Sequence, residues 1–453
     1  MLTKLSLLKD MQKTVLKFSG PFFLRFNSMD SNDREKIRRY LVNDEIFKKI
    51  NKQIITLEIK DVKDTNERLG KIIEKLIEMM KEQNPLFNMT YKRIAYTGSF
   101  YKKTKIGFPD EFDLNLIIQL PIKKDDMMLS TDLSGYIKIR TKTYENNNLK
   151  MDAKACSVMK SFIDKNQYLD QEKFRRWIEG ILNKVASTTN ENNDIKINNY
   201  IIRVRKSGPA FTLSFHSGKY LINIDLVPVL AFSSRDLPPP YSKHRALQNS
   251  DKDVYLVPKP LSSKNIPSHA KSKPNRYWRL SFYDFEKDML QTEKYRQVKP
   301  IIRQLKKFRE TQNWKSIASY YIETLCFHHL ERFETRESHT SLLFTMLENL
   351  HKAFEIGCIK HYWVKNINLL ENIEKDEMMN MKRRLYNIIK DIRKQIIEQP
   401  NDLYIIARYT LNSAELDKIA RPYPTYESKS ESDLEQELKS QLETVGEWSC
   451  III

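Results

Sequence analysis

Two strand-like segments of this 453-residue chain carry acidic side chains inside largely apolar runs. In EFDLNLIIQL, Glu111 and Asp113 are two residues apart, so both carboxylates point to the same face of a strand. In YLINIDLVPVLAF, Asp225 is the only charged side chain of a run that reads as a buried central strand. An ionised aspartate in such a strand requires a compensating cation. The three carboxylates are therefore the predicted catalytic and metal-binding residues, holding two Mg²⁺ or Mn²⁺ ions for in-line phosphoryl transfer.

A phosphate-binding turn is predicted just before the acidic strand. A short strand-like run ends at Gly98 and Ser99, and a helix-competent segment follows. Glycine lets the backbone approach a phosphate closely, free N–H groups at a helix start favour an anion, and the Ser99 hydroxyl adds a donor. A Gly-Ser pair before a helix is also a common N-cap, and Glu-x-Asp on a strand is often a solvated face. The order of the turn and the three acids is what indicates metal-dependent chemistry.

The pattern along the chain predicts an α+β fold with two lobes. Residues 33–83 have helical periodicity, and six strand-like runs follow between residues 93 and 232, with an amphipathic helix near residues 152–186. Beyond two proline-rich stretches the chain is helical to about residue 420. We therefore predict a mixed β-sheet catalytic lobe and a helical lobe, with the active site in the cleft between them.

Five parts are predicted along the chain. They are a basic amphipathic extension (1–30), a spine helix with an α/β core (31–240), a loop-rich connection (241–276), a helical lobe (277–420) and an acidic tail predicted to be disordered (421–453).

The charge of the chain predicts a polyanionic partner. The net charge of the chain is +19. The stretch from Glu427 to Glu447 has a net charge of −5, so the remaining residues have a net charge of +24. The alternative is that these charges are ordinary solvated helix faces. The candidate nucleic-acid contacts are Arg34, Lys36, Arg38, Arg39, Lys48, Lys49, Lys52, Lys243 and Arg245.

Cysteine usage and the chain end bear on location. The four cysteines have no paired spacing, which predicts a reducing compartment, cytosolic or nuclear, and no apolar run is long enough to span a membrane. Of the two compartments, we expect the cytoplasm. The final Cys450-Ile-Ile-Ile fits the C-a-a-X pattern for prenylation, although an ordinary apolar chain end explains it equally well. With the basic extension as a second signal, lipidation of Cys450 would give peripheral membrane association.

The segment GSFYKKTKIGFPDEFDLNL closely resembles the active-site signature of the cyclic GMP–AMP synthase-like receptors, nucleotidyltransferases of animal innate immunity. The resemblance continues in the same order through INIDLVPVL, YWRLSFYDFEKDML, IRQLKKFRE and SIASYYIETLCFH, covering roughly residues 60–420. It implies a bilobal enzyme that makes a cyclic dinucleotide from ATP and GTP, as an antiviral second messenger, once a nucleic-acid duplex binds.

The resemblance also implies individual roles. Glu111, Asp113 and Asp225 would bind the metal ions, and Lys307 is an alternative to Lys306 because the register could shift by one. The implied nucleotide contacts are Ser99 and Lys306 with phosphate, Arg279 and Glu286 with the bases, Ser319 with phosphate and Tyr320 stacked on a base.

One departure from the family concerns zinc. The mammalian DNA sensor has a His-Cys-Cys-Cys zinc insertion after the WRLSF segment, whereas LQTEKYRQVKP here contains neither residue type, so no zinc is expected. The chain resembles the zinc-free, insect-type members, which implies double-stranded RNA as activator, read through its phosphates, and oligomerisation on RNA. Two alternatives stay open: a linear 2′-5′ oligoadenylate synthase, which shares the metal triad, and a nonenzymatic RNA-binding or scaffold protein on the same fold.

Overall fold

The computed structural model describes residues 30–56, 59–142, 153–189, 194–241, 245–261 and 266–420. The chain forms two compact units, Met1–Leu411 and Asn412–Ile453, and the described part of the second is a single helix. The basic extension, the acidic tail with Cys450, and Lys243 lie outside the described residues. Within the described ranges, no helix is long and apolar enough to cross a membrane.

A ten-stranded sheet is the centre of the α/β part. Its strands run in the order β3-β4-β10-β9-β8-β7-β6-β5, with β2 paired to β8 and β1 to β2. The β2–β8 pair is parallel and the other pairs are antiparallel. The strands are β1 (Tyr91–Thr97), β2 (Glu111–Ile118), β3 (Met127–Ser130), β4 (Tyr136–Thr141), β5 (Ile195–Ile197), β6 (Tyr200–Ser207), β7 (Ala210–Ser217), β8 (Tyr220–Ser233), β9 (Asp253–Val257) and β10 (Trp278–Ser281).

Helices pack against this sheet and form the helical part. They are α1 (Ser31–Val42), α2 (Glu45–Ile50), α3 (Ile59–Gln83), α4 (Pro85–Thr90), α5 (Gly98–Tyr101), α6 (Ala153–Ser161), α7 (Gln171–Thr189), α8 (Arg245–Gln248), α9 (Ser268–Lys271), α10 (Tyr283–Gln291), α11 (Val298–Thr311), α12 (Ser319–Phe327), α13 (His339–Ile356), α14 (Lys375–Glu398), α15 (Ala407–Thr410) and α16 (Ser413–Ala420).

The predicted α+β class is confirmed, with differences in detail. All six predicted strand-like runs are strands, but β3, β5, β9 and β10 were missed because three to five residues are too few for a clear period-two pattern. The predicted helical stretch 33–83 is three helices, with a turn of π-helix at Asn51–Ile55 after α2. The single helix predicted near residues 152–186 is two, α6 and α7.

Two main hydrophobic cores organise the described residues. The first joins the sheet to α3 and α7, with Leu76, Phe112, Ile178 and Leu226 fully buried. The second is formed by α11 to α14. Because β9 and β10 belong to the sheet, the α/β part continues to residue 281, beyond the end predicted at residue 240. The predicted connection and the start of the helical lobe therefore contain sheet strands.

The first two helices pack with the helical core, which corrects the predicted start of the α/β core at residue 31. Ile37, Tyr40 and Phe47 are buried in the second hydrophobic core, and α1 contacts α13 and α14. Asp44 reinforces this contact, since its carboxylate accepts the backbone N–H groups of His339 at 3.1 Å and Thr340 at 2.9 Å. Helical periodicity identifies a buried face but not the core that buries it.

The carboxylate of Asp44 is held in its ionised form. Burial raises its pKa, but hydrogen bonds from His339 and Thr340 outweigh this effect and lower the pKa of Asp44 to about 2. An ionised oxygen acceptor at this point caps the start of α13 and suits the positive end of that helix.

Candidate active site

The strand register brings the acidic residues together on one face of the sheet. In the parallel β2–β8 pair, Asp113 lies directly opposite Asp225, with a strand spacing of about 4.8 Å. On the outer sides, Thr97 of β1 is opposite Asp113, and Thr212 of β7 is opposite Asp225. Glu111 is two residues before Asp113 and shares its face. A polar row therefore crosses four adjacent strands, with two aspartates at its centre.

Gly98 fits closely against Asp113. Its φ of +77° is in the left-handed region, and a Cβ atom at this position would lie 1.8 Å from the Asp113 Oδ2. Thr97 completes the junction by donating its hydroxyl to the Asp113 carbonyl at 3.0 Å. The turn after β1 is therefore shaped around the carboxylate that β2 presents.

Negative charge is concentrated at this site. Burial, followed by repulsion from Glu111 and Asp225, raises the pKa of Asp113 to about 6, although Lys105 and Lys102 act in the opposite direction. The Thr212 hydroxyl donates to the Asp225 Oδ1 at 2.6 Å and orients that carboxylate.

Glu111 is the most exposed of the three acids. Its side chain is 66% exposed, and its Oε2 lies 3.9 Å from the Lys105 Nζ, which also contacts Asp110 at 3.1 Å. Taken across the described stretches, no group of three or more His, Cys, Asp or Glu side chains is arranged to hold a metal ion. The donors nevertheless suit a divalent cation, because carboxylate oxygens are its preferred ligands and Asp113 lacks a cation that fully offsets the two neighbouring acids.

Ser99 begins the turn that follows Gly98. Its carbonyl accepts the backbone N–H groups of Thr104 at 2.8 Å and Lys105 at 3.0 Å, which closes the turn. The Ser99 side chain is half-buried, and its hydroxyl has no hydrogen bond to any described residue. It is therefore available to a ligand, as its predicted phosphate contact requires.

Lys102 connects this turn to the helical core through two buried ion pairs. Its Nζ lies 2.7 Å from Glu286 on α10 and 3.1 Å from Glu323 on α12, and all three side chains are 5–6% exposed. The two carboxylates raise the pKa of Lys102 although burial lowers it. The lysine is therefore charged and holds three separate segments together.

Lys306 completes this cluster from α11. Its Nζ donates to Glu323 at 3.0 Å and to the Thr104 carbonyl at 3.1 Å. Burial acts to raise the pKa of Glu323, but Lys102 and Lys306 lower it to about 2, so the carboxylate stays ionised. Lys306 is 2% exposed and would meet the predicted phosphate only after exchanging these protein contacts. Lys307, the alternative, is half-buried.

Glu286 connects the buried charged residues to an aromatic group formed by Tyr320, Trp363 and His361. Its Oε1 accepts the Tyr320 hydroxyl at 3.0 Å and the Trp363 indole N–H at 3.3 Å. The Tyr320 oxygen also lies 3.3 Å from the His361 Nε2. Because the His361 Nδ1 accepts the Trp363 backbone N–H at 3.2 Å, the proton of a neutral His361 is on Nε2. Glu286, predicted to contact a base, is 5% exposed, and its carboxylate orients Tyr320, the predicted stacking residue.

Arg279 lies beside this aromatic group. Burial, followed by the charge of Arg279, lowers the pKa of His361 to about 4 and that of Lys259 to about 8. The Arg279 guanidinium has no ion pair with any residue that the structure describes, which suits its predicted contact with a nucleotide. Ser319 is placed differently, because its hydroxyl accepts the Arg309 guanidinium at 3.1 Å.

The cluster residues Lys102, Glu323, Trp363 and His361 were not predicted from the sequence. The available signal was Glu323, the only charged side chain in the helix SYYIETLCF. A lone acid in such a helix implies a buried partner.

The predicted nucleic-acid contacts from α1 to the π-helical turn after α2 have different environments. Arg38, Lys48 and Lys52 are exposed. Arg39 is also exposed, and it pairs with Glu35 at 3.0 Å. Lys36 is half-buried and donates to the Ile397 carbonyl at 3.4 Å. Arg34 and Lys49 are half-buried, and the backbone of Arg245 begins α8.

Comparison with known families identifies two matching domains. Residues 100–292 match the Mab-21 protein nucleotidyltransferase domain, and residues 296–387 match the Mab-21 protein HhH/H2TH-like domain. The boundary between the two matches falls between α10 and α11. The three acids, the Gly98–Ser99 turn and Lys102 are therefore in the first match or at its edge, and Lys306 and Glu323 are in the second.

Several curated proteins are similar along most of this chain. A protein of Microplitis demolitor is 38% identical over 372 residues, covering 80% of this chain and 68% of its own length. One of Nicrophorus vespilloides is 33% identical over 77% of this chain and 92% of its length, and one of Ctenocephalides felis is 31% identical over 89% and 95%. Each of the three is described as a cyclic GMP-AMP synthase-like receptor.

Proposed function

Because this chain belongs to the cyclic GMP-AMP synthase-like receptors, we propose that it joins ATP and GTP into a cyclic dinucleotide when double-stranded RNA binds. The nucleotidyltransferase domain makes it a transferase that acts on nucleotides. Its product would serve as an innate immune second messenger. The observation that carries the proposal is the opposition of Asp113 and Asp225 in the parallel β2–β8 pair, next to the Gly98–Ser99 turn.

The acidic residues of this site would bind the metal ions, and a neighbouring threonine orients one of them. Asp113 and Asp225, with Glu111 on the same face, would hold two Mg²⁺ or Mn²⁺ ions, which when bound activate the attacking hydroxyl and neutralise charge on the leaving pyrophosphate. Thr212 fixes the carboxylate of Asp225 through its 2.6 Å hydrogen bond.

The donor nucleotide would lie over the turn and the aromatic group. The Ser99 hydroxyl is available to its triphosphate, and Tyr320 would stack on a base with its ring oriented by Glu286. Arg279 would hydrogen-bond to a base edge, since its guanidinium presents several donors in a plane.

Product analysis tests this proposal. The purified protein is incubated with ATP, GTP and Mn²⁺, alone or with duplex RNA or duplex DNA, and the products are identified by mass spectrometry. We expect a cyclic dinucleotide of one adenylate and one guanylate, formed faster with duplex RNA. Linear 2′-5′ oligoadenylates would show that the second ring-closing bond is not made. The absence of any dinucleotide under all conditions would contradict the proposed enzyme.

We further propose that exposed basic residues of α1, of α2 and of the π-helical turn after α2 bind the RNA duplex. Replacing Arg38, Lys48 and Lys52 together with glutamate is expected to weaken RNA binding at least about 10-fold at low salt, because interactions with phosphate dominate such affinity. The slope of log affinity against log salt concentration should fall by roughly one for each phosphate interaction that the substitutions remove. Fluorescence anisotropy of labelled duplex RNA over a salt series measures both quantities.

The matched control for this variant changes as many charges on the α/β part. Lys165, Lys173 and Lys184 are exposed, and the last two lie on α7. Their replacement with glutamate should alter RNA affinity much less. Unchanged affinity and unchanged RNA-stimulated synthesis in the α1–α2 variant would place the duplex elsewhere.

A further inference from the structure

The sheet face that carries the acids continues across β7 and β6, where it bears two arginines. Arg205 of β6 lies opposite Thr212 of β7, which lies opposite Asp225 of β8. Arg203 lies opposite Ser214, which lies opposite Asn223 of β8, the partner of Glu111. Residues that are direct partners across a sheet share a face, so Arg203 and Arg205 project on the same side as the carboxylates.

Both arginines are exposed and lack a protein counter-ion. In the described parts of the chain, neither guanidinium has an ion pair or a hydrogen bond. The neighbouring Lys206 points to the opposite face and lies 3.1 Å from Glu179 and 3.6 Å from Glu172. Positive charge is therefore neutralised on the helix-covered face of β6 and left unneutralised on the face that carries the acids.

This part of the sheet face is open. Beyond the arginines, His216 and Leu221 are opposite each other on β7 and β8, and Ile201 is two residues before Arg203 on the same side of β6. Ile201 is 56% exposed, Leu221 is 46% exposed and His216 is also exposed. A ligand that extends from Asp225 over β7 would therefore reach an exposed part of the sheet at β6.

The distance between the arginines and the acidic residues indicates the size of a ligand that could contact both. Arg205 and Asp225 are two strands apart, so their Cα atoms lie about 10 Å from each other, and an extended arginine covers much of that distance. This span is comparable to that between a ribose hydroxyl and the 5′ phosphates of the same nucleotide. A nucleotide whose hydroxyl is at Asp225 can thus place its phosphates at Arg205 and Arg203.

We propose that Arg203 and Arg205 bind the 5′ polyphosphate of the acceptor nucleotide, the one whose ribose hydroxyl attacks. The assignment rests on the proposed function, in which two nucleoside triphosphates occupy one site. The acceptor oxygen forms a bond to the α-phosphorus of the donor, the bond from that phosphorus to its bridging oxygen breaks, pyrophosphate leaves with the electron pair, and the hydroxyl proton passes to solvent. The acceptor's own phosphates stay intact and need a separate site, since Ser99 lies on the other side of the acids.

The chemistry of the first bond gives a direct test. Only the donor must be a triphosphate, so GTP and GMP can be compared as acceptors with ATP as donor, and ATP and AMP with GTP as donor. Initial rates of linear dinucleotide formation with Mn²⁺ and no RNA give kcat and KM for each acceptor. Wild-type protein should show a lower KM for the triphosphate acceptor than for the monophosphate.

The variant Arg203→Gln/Arg205→Gln should lose this preference. We expect the KM for the triphosphate acceptor to rise about 10- to 100-fold, since charge-assisted hydrogen bonds to phosphate are strong, while kcat and the KM for the monophosphate stay nearly unchanged. Arg203→Lys/Arg205→Lys keeps the charge and should recover part of the preference. The control Arg383→Gln/Arg384→Gln removes two exposed arginines from α14 and should leave every KM as in wild type.

Other outcomes overturn the assignment. An equal loss for triphosphate and monophosphate acceptors would mean that the arginines do not contact the polyphosphate. Unchanged kinetics together with weaker RNA stimulation would mean that this surface binds the activator. If wild-type protein forms no dinucleotide from any pair, either alone or with duplex RNA added, the proposed function itself fails and the acceptor site fails with it.

Discussion

Alanine in place of Asp113 or Asp225 is expected to abolish product formation, lowering kcat by about 10³-fold or more while duplex RNA binding stays nearly intact. Each replacement removes a carboxylate from the centre of the polar row. The loss falls on the charge that develops in the transition state, whereas the exposed basic residues of α1 and α2 are unchanged. Product formation by mass spectrometry and RNA binding by anisotropy measure the two effects separately.

A nearby acid provides the control for these variants. Asp110 lies one residue before β2, contacts Lys105 at 3.1 Å, and has a side chain that is 53% exposed. It is outside the row formed by Asp113 and Asp225, so Asp110→Ala should retain most of the activity. Thermal melts exclude unfolding as the cause of any loss. Turnover at the wild-type rate in either aspartate variant would contradict the assignment of the metal site.

The acidic pair and its face could be predicted from the sequence because they depend on local geometry. A period of two places Glu111 and Asp113 on one side of a strand wherever that strand lies. The opposition of Asp113 and Asp225 is different, since it depends on parallel pairing between strands more than 100 residues apart in the chain. The buried character of YLINIDLVPVLAF indicated a central strand but left its neighbours undetermined.

The buried charge cluster could not be predicted for the same reason. Lys102 follows directly after a predicted phosphate turn and reads as one of several surface lysines, but its partners Glu286 and Glu323 are 184 and 221 residues away. Lys103 is also a lysine and follows Lys102 directly in the chain, yet its side chain is exposed. Only the packing of the turn against α10 and α12 distinguishes the two lysines.

A large loss of both stability and activity is expected when Lys102 is replaced. Lys102→Met removes the ammonium between Glu286 and Glu323 and leaves both carboxylates buried with one partner fewer. Breaking a buried ion pair from one side lowers the free energy of unfolding by roughly 3–5 kcal/mol. The turn from Gly98 to Thr104 would keep its contacts with Lys306 and Glu323 through Thr104 but lose those made by Lys102. We therefore expect kcat to fall about 100-fold, as small displacements in an active site can cause.

Urea unfolding and steady-state kinetics measure these two effects. Lys103→Met removes the same charge from the adjacent, exposed position, and should leave both stability and kcat close to wild type. A Lys102→Met protein that is as stable and as active as Lys103→Met would show that the buried cluster contributes to neither property.

A second substitution separates positioning of the turn from stability. Glu286→Gln added to Lys102→Met removes both charges of one pair, keeps an acceptor oxygen for Tyr320 and Trp363, and leaves the Lys306–Glu323 pair at 3.0 Å in place. The double variant should regain part of the unfolding free energy, because no carboxylate of the broken pair stays buried and charged. The kcat of the double variant should not recover. It should also be no lower than that of the less active of the two single variants, Lys102→Met and Glu286→Gln, since both residues act through the same ion pair. Recovery of kcat together with stability would show that Lys102 acts through stability alone, and additive decreases in kcat would show that Lys102 and Glu286 act independently.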